Sequence, residues 1–246
     1  MNRRPLLLGA AMACVGGVAA LGAPRSAQAD AGPEAADLQA RLQVCTPADA
    51  LGRLQQGNDR FVQAWGAARA ADDPGRRMQV LASLWQNNCQ IDPLALADGQ
   101  KPFAAVLSCA DSRVDPGWLF ACGAGELFQV RSAGNTAFAE AVASLEYAVG
   151  LLATPLILVL GHSGCGAVQA ALGHEPLTPL LEDLVAPIRA GLRPGDDLTQ
   201  AVQANVRRVV GDLGRRSELI RLAVAGGRLQ VVGAYADIAS GRVTLL

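Results

Sequence analysis

The chain has 246 residues, of which 51% are hydrophobic and 17% charged, and its 21 basic and 22 acidic side chains give a net charge of −1. Its only lysine is Lys101 and it has no basic stripe, which argues against nucleic acid or an anionic membrane surface as a partner. No internal repeat or linker-like stretch is evident, so a single domain is expected after the first segment.

Residues 1–29 predict an export signal. Arg3 and Arg4 precede an apolar run, and Ala27-Gln28-Ala29 has the small-x-small pattern of a signal peptidase site. The alternative is a membrane anchor, but four glycines make the run a poor spanning helix. The arginine pair also resembles a twin-arginine signal. We expect removal of this segment, a mature domain over residues 30–246, a periplasmic or otherwise exported location and no stable membrane association afterwards.

The first third of the mature chain is predicted to be a helical arm. Thr46 is a plausible N-cap, with Pro47 at the first helical position and Asp49 in the first turn. An apolar stripe follows at Leu51, Leu54, Phe61, Val62 and Trp65. A second helix is predicted from Pro74 to Asn88.

Four short apolar runs then predict buried parallel strands, at residues 103–107, 126–130, 156–160 and 229–235. Helical segments are predicted between them, at residues 136–151, 166–172 and 198–224. The tail 241–246 follows a turn and predicts an antiparallel edge strand. The expected fold class is therefore α/β: a mostly parallel central sheet of four strands plus a C-terminal antiparallel edge strand, flanked by helices, with an N-terminal helical arm.

Two short clusters carry the chemistry, Cys109-Ala110-Asp111-Ser112-Arg113 and His162-Ser163-Gly164-Cys165. The first follows the first predicted strand and the second follows the third. Ligands of open α/β sheets bind where the carboxyl ends of strands meet, so the two clusters are expected to lie together. Two thiols, an imidazole and a carboxylate form a typical zinc ligand set, and an exchangeable fourth position favours a catalytic site.

Each of these residues has a simpler interpretation when it is taken alone. A buried Cys is usually a core residue, a lone His is usually structural, and an Asp two residues before an Arg is often a surface pair. Their joint placement favours the metal site. Ser163 beside His162 does not indicate a serine hydrolase, because adjacent residues do not form a nucleophile–base pair. His174 is interpreted as a loop residue, with proton transfer as the alternative.

The motifs Cys109-x-Asp111-x-Arg113 and His162-x-x-Cys165 resemble the metal motifs of β-class carbonic anhydrases. Supporting matches lie at residues 57–61, 125–128, 131–135, 144–149 and 241–243, so the resemblance covers most of the mature chain. It implies one Zn²⁺ per subunit on Cys109, His162 and Cys165. By the same resemblance, Asp111 either takes the fourth position or, paired with Arg113, leaves it to water. Val106 stands where family members with a closed, bicarbonate-regulated site have tryptophan, which favours the open form.

The resemblance further implies reversible hydration of CO₂ to bicarbonate and a proton by zinc-bound hydroxide, with Asp111 and Arg113 as catalytic residues. It implies a substrate pocket near Gln100, Phe128, Ala133, Tyr147 and Gly166, whose aromatic members are shared across a dimer interface. We therefore expect a homo-oligomer, at least a dimer. Two other functions stay open: hydrolysis of carbonyl sulfide or carbon disulfide on the same fold, and non-catalytic zinc binding.

Charge supports the open form independently. Two thiolates and a neutral imidazole make Zn²⁺ formally neutral, and a carboxylate ligand would make the centre negative and occupy the nucleophile's position. An Arg113 fork would hold Asp111 off the metal as a hydrogen-bond acceptor for water. Three cysteines of the expected mature chain, Cys45, Cys89 and Cys122, remain outside this set. Of these, Cys45 and Cys89 are candidates for a disulfide in an oxidising compartment, although sequence does not show their geometry.

Overall fold

A five-stranded sheet forms the centre of the computed structural model, which describes residues 33–86, 89 and 91–246. The strands are β1 (Ala104–Cys109), β2 (Leu127–Ser132), β3 (Leu156–His162), β4 (Gln230–Ala236) and β5 (Val243–Leu245), in the spatial order β2-β1-β3-β4-β5. The first four are parallel and β5 pairs antiparallel with β4. The expected fold class is confirmed. The predicted export signal, residues 1–29, lies outside the described residues.

Ten helices surround the sheet within the described ranges. They are α1 (Pro33–Gln43), α2 (Ala50–Ala70), α3 (Pro74–Gln86), α4 (Pro93–Asp98), α5 (Pro116–Leu119), α6 (Ala139–Gly150), α7 (Gly166–Leu172), α8 (Pro179–Arg189), α9 (Leu198–Arg216) and α10 (Glu218–Ala225), and a 3₁₀ turn spans Ala133–Asn135. In this part of the chain we find no helix with both the length and the apolar character needed to cross a membrane.

The two central strands are buried along their whole length because helices cover both faces of the sheet. Alternate residues point to opposite faces, so Val106 and Leu158 join one core cluster, whereas Leu107 and Val159 join the other. This double packing holds the carboxyl ends of β1 and β3 side by side.

Several predicted helix bounds were wrong. Helix α2 begins at Ala50 rather than after Thr46, because the Asp49 carboxylate accepts a hydrogen bond from the Gly52 amide at 2.9 Å and caps the helix there. The helix predicted at 198–224 is two helices, since Ser217 ends α9 and its hydroxyl accepts from the Ile220 amide to start α10. Helix α6 begins at residue 139, after the 3₁₀ turn, and the short helices α4, α5 and α8 were not predicted.

The N-terminal arm is cross-linked within itself and paired with the segment that enters β2. The disulfide hypothesised from the sequence is present: it joins Cys45, between α1 and α2, to Cys89, between α3 and α4, with their Cα atoms 5.6 Å apart. Arg53 of α2 forms a 3.0 Å ion pair with the buried Glu126 just before β2. The disulfide thus ties the arm's loops together, and the ion pair links α2 to the start of β2.

Candidate metal centre

Three side chains that can bind a metal meet at the carboxyl edge of the sheet. Cys109 ends β1, His162 ends β3, and Cys165 immediately precedes α7. Because β1 and β3 are parallel neighbours, the two ends converge. One ligand atom from each residue lies within 4.8 Å of the others, and the two sulfur atoms are 4.0 Å apart. All three side chains are buried.

The ring of His162 presents one nitrogen to this cluster. Its Nδ1 lies 3.0 Å from the Ser163 carbonyl oxygen, which assigns the proton to Nδ1 and leaves a lone pair on Nε2. Within the described residues, Nε2 is buried and has no hydrogen-bond partner. A buried polar atom without a partner is costly, whereas a cation between the ring and the two sulfurs would satisfy it. This orphaned nitrogen shows that the residues fit a metal ion.

The two thiols interact strongly with each other. A hydrogen bond from Cys165, together with one from the Gly134 amide, lowers the pKa of Cys109 to about 4, although burial opposes this. The same contact, with burial, raises the pKa of Cys165. The two sulfurs, 4.0 Å apart, are close enough to share a proton, and a divalent cation can take the place of that proton. Sulfur and imidazole donors in this arrangement suit zinc.

Asp111 lies beside this cluster but outside it. Arg113 donates to both carboxylate oxygens, from Nε to Oδ1 at 2.9 Å and from Nη2 to Oδ2 at 2.6 Å, and its own amide donates to Oδ1. The Arg113 guanidinium holds the pKa of Asp111 well below its usual range. Asp111 Oδ2 is 3.9 Å from His162 Nε2. The carboxylate is thus charged, fixed and adjacent to a ligand atom.

Arg131 of β2 fixes the loop that carries Asp111. Its guanidinium donates to the Cys109 carbonyl at 3.2 Å and to the Asp111 carbonyl at 2.8 Å, and it pairs with Asp115 at 3.2 Å. The sequence analysis noted Arg131 only as part of a motif. Its role depends on β2 lying next to β1, which is visible only in the fold.

The predicted substrate residues divide into two groups. Ala133 begins the turn whose Gly134 amide contacts Cys109, and Gly166 follows Cys165, so both lie at the centre. Gln100 and Phe128 do not lie at the centre.

Those two residues lie toward the amino ends of the strands. Phe128 pairs with Ala105, four residues before Cys109 in β1, which corresponds to about 13 Å at about 3.3 Å per residue. Gln100 precedes β1 altogether. Tyr147 of α6 stacks on Phe128 with ring centroids 6.1 Å apart. One chain therefore does not bring Gln100, Phe128 and Tyr147 to its own metal ligands.

Two supporting groups were not predicted from the sequence: the Gly134 amide, which donates to Cys109 Sγ at 3.3 Å, and Asn205, which donates to the Gly134 carbonyl. A signal for Asn205 was present, since it is a lone amide on the apolar face of α9 among Ala201, Val202, Val206 and Val209.

Cys122 is buried away from the ligands, and burial raises its pKa to about 12, so its thiol is unreactive at neutral pH.

Comparisons with known proteins agree with this geometry. The family model described as carbonic anhydrase matches residues 104–243. Carbonic anhydrase 2 of Mycobacterium tuberculosis is 36% identical over 208 residues, covering 81% of this chain and 92% of that protein. The carbonic anhydrase of Mycolicibacterium smegmatis is 35% identical over 208 residues, covering 81% and 93%.

Two solved structures are also similar. The β-carbonic anhydrase of Coccomyxa, in complex with acetazolamide, has a TM-score of 0.57 and 31% identity, covering 63% of this chain and 76% of that one. A tetrameric β-carbonic anhydrase of Sordaria macrospora has a TM-score of 0.57 and 27% identity, covering 61% and 83%.

Proposed function

We propose a zinc-dependent activity for this chain, which belongs to the carbonic anhydrase family and is a β-class enzyme of that family. One Zn²⁺ held by Cys109, His162 and Cys165 serves the reversible hydration of CO₂ to bicarbonate and a proton. The observation that carries the proposal is the cluster of three buried donors within 4.8 Å, with His162 Nε2 unpartnered among the described residues. Zn²⁺, when bound, supplies a nucleophilic hydroxide near neutral pH.

In this proposal Asp111 orients the nucleophile and does not bind the metal. Its carboxylate accepts three hydrogen bonds from Arg113, which leaves lone pairs directed elsewhere available to a water molecule. The fork of Arg113 is itself fixed by a 3.3 Å contact to the Gly164 carbonyl. This arrangement supports the open form of the site, in which the fourth position is left to water.

We further propose that the substrate approaches between two copies of the chain. Gly166 and Ala133 come from the chain that holds the metal, whereas Gln100, Phe128 and Tyr147 come from a second copy. Two facts support the proposal: Phe128 pairs with Ala105, four residues before Cys109, and Tyr147, which stacks on Phe128, is 44% exposed. An aromatic wall from a partner would exclude water from a small apolar substrate. The functional unit is then at least a dimer.

The proposed location of the mature enzyme is the periplasm or another exported compartment. The Cys45–Cys89 disulfide supports this, because such bonds persist in oxidising compartments and are rare in the cytosol. The test is cell fractionation of the chain carrying Arg3→Lys and Arg4→Lys. Retention of the protein inside the cell supports a twin-arginine signal, and unchanged export of active enzyme rejects that signal type.

The function is tested by stopped-flow assay of purified protein with CO₂ and then carbonyl sulfide, before and after chelation. We expect rapid CO₂ hydration that is lost on zinc removal and restored by added zinc. Turnover of carbonyl sulfide without CO₂ hydration would identify the hydrolase alternative. Bound zinc with neither activity would identify a non-catalytic zinc protein.

A further inference from the structure

We propose that Asn205 of α9 is a positioning residue for the metal centre: it holds the 133–135 turn so that the Gly134 amide donates to the sulfur of Cys109. The proposal rests on the proposed function in one respect, which is that Cys109 binds the metal. Asn205 touches neither the metal ligands' donor atoms nor the reacting atoms, so its effect passes through the turn.

The contacts form a short chain from helix to sulfur. The Asn205 side-chain amide donates from Nδ2 to the Gly134 carbonyl oxygen at 2.9 Å. The amide of the same glycine donates to Cys109 Sγ at 3.3 Å. Asn205 is 2% exposed, and it lies on the face of α9 that is otherwise apolar. A buried amide on such a face is unfavourable unless it is hydrogen-bonded, which gives this contact a definite energetic role.

The turn has a conformation that needs support from outside. Gly134 has a φ of +74°, in the left-handed region. A Cβ at this position would lie 2.6 Å from Ile188 Cδ1 and 3.1 Å from Ala167 Cβ, so α7 and α8 confine the glycine on one side. Packing therefore limits where the turn can go, and the Asn205 amide fixes the rotation of the peptide group that follows Gly134. The φ and ψ of Gly134 connect that group to the preceding one, so holding it helps to keep the Gly134 N–H directed at the sulfur.

A hydrogen bond to a ligand sulfur changes the electron density that the sulfur donates to the metal. An N–H donor withdraws electron density from a thiolate and orients its lone pairs, and such outer contacts tune metal affinity. Cys109 is the ligand that receives this donor. Cys165 has its own backbone contacts, from the Ala167 and Val168 amides at the start of α7. Asn205 therefore acts on only one of the two sulfur ligands.

The surroundings of Asn205 allow the proposal to be tested by substitution. The residue lines a cavity of about 680 Å³ bounded by α8, α9 and the segment after β2, with Ser132 and Thr136 on its wall. A shorter side chain at position 205 would enlarge an existing space, and water could then reach the Gly134 carbonyl. Asn205→Ala is therefore expected to fold, and Asn205→Leu keeps the shape of the side chain while removing both polar atoms.

The matched control is Asn58→Ala. Asn58 of α2 is also buried, at 3% exposure, and its amide also donates to backbone carbonyls, those of Leu119 at 3.0 Å and Gly241 at 2.8 Å. Those carbonyls lie outside segments 109–113, 133–135 and 162–165. The control therefore reports the general cost of losing a buried amide in this fold.

The experiment measures zinc affinity by competition with a chelator, and the absorption spectrum of the Co²⁺-substituted protein, for wild type and the three variants. We expect both Asn205 variants to bind zinc about 10–100-fold more weakly. Their sulfur-to-cobalt charge-transfer band should move to longer wavelength, because a thiolate without its N–H donor is a stronger electron donor. Asn58→Ala should lower the unfolding midpoint and leave both readouts unchanged.

Wild-type affinity and spectrum in folded Asn205 variants would overturn the proposal, as would an equal loss of affinity in Asn58→Ala. If the wild-type protein itself bound neither zinc nor cobalt, the proposed function would fail as well. The two failures are thus distinguishable, because the first requires a metal-loaded wild type.

Discussion

Arg113 binds Asp111 through both carboxylate oxygens, at 2.9 and 2.6 Å, while Asp111 Oδ2 remains 3.9 Å from the ligand nitrogen of His162. The pairing keeps a charged carboxylate next to the metal position without placing it among the ligands. Only a planar guanidinium can hold both oxygens in this way, because the ammonium of lysine is a single point of charge.

Arg113→Lys tests that relationship. We expect kcat/KM for CO₂ to fall by about 10–100-fold, as is typical when an outer contact of a metal site is lost, with zinc content maintained. Stopped-flow rates and elemental analysis on the same sample measure the two quantities. Arg221→Lys is the control, since Arg221 forms an exposed pair with Glu218 on α10. Equal activity in Arg113→Lys and the control would mean that the fork has no role in turnover.

Reduction of the Cys45–Cys89 disulfide should destabilise the arm. The bond closes a separation of 44 residues, and its loss is expected to lower the free energy of unfolding by about 2–4 kcal/mol. Urea titration with and without a phosphine reductant measures the change. The double variant Cys45→Ser with Cys89→Ser should match the reduced protein and be insensitive to the reductant. A reductant effect of the same size in that variant would assign the destabilisation to another group.

Two glycines of α2 should respond oppositely to alanine. A Cβ at Gly57 would overlap the Phe120 carbonyl oxygen, whereas a Cβ at Gly66 meets nothing within 4 Å. Gly57→Ala should therefore lower stability by about 1–3 kcal/mol or more, because α2 must move off the α5 turn. Gly66→Ala should raise it by about 0.5–1 kcal/mol. The urea unfolding midpoints of the two variants measure both changes in stability. A more stable Gly57→Ala variant would contradict the close approach of α2 to the Phe120 carbonyl.

The strands were predictable from sequence because β1 and β3 are buried on both faces and read as continuous apolar runs. Helix ends were less predictable. Thr46 and Asp49 both have capping chemistry, and in the structure it is the Asp49 carboxylate that accepts from the Gly52 amide and begins the helix. Ser217 divides the last long helix by bonding to Ile220, a local competition that apolar periodicity does not reveal.

The cluster of candidate metal ligands was also predictable, since two motifs at the ends of two apolar runs come together once the strands are parallel neighbours. The supporting contacts were not predictable. Asn205 and Gly134 lie 71 residues apart, and nothing local in the sequence pairs them. That Phe128 lies away from Cys109 of its own chain follows from the register of β1 and β2, which only the structure provides.

The proposed sharing of the substrate site between two chains predicts complementation between two inactive chains. In a mixed dimer of Cys165→Ser with Tyr147→Ala, one site combines intact metal ligands from the Tyr147→Ala chain with Tyr147 from the Cys165→Ser chain. We expect the mixed dimer, purified through two different tags, to recover about half of wild-type activity, above either homodimer. Activity no higher than the mean of the two homodimers would place the whole site within one chain.

The most direct test of the account is the zinc content of folded, purified protein, measured by elemental analysis for wild type and for Cys165→Ser. Three buried donors within 4.8 Å predict one zinc per wild-type chain. Replacing one thiolate with a hydroxyl should remove most of that zinc and the CO₂ hydration with it. A folded wild-type protein without zinc, or a variant that keeps full zinc occupancy and full turnover, would contradict it.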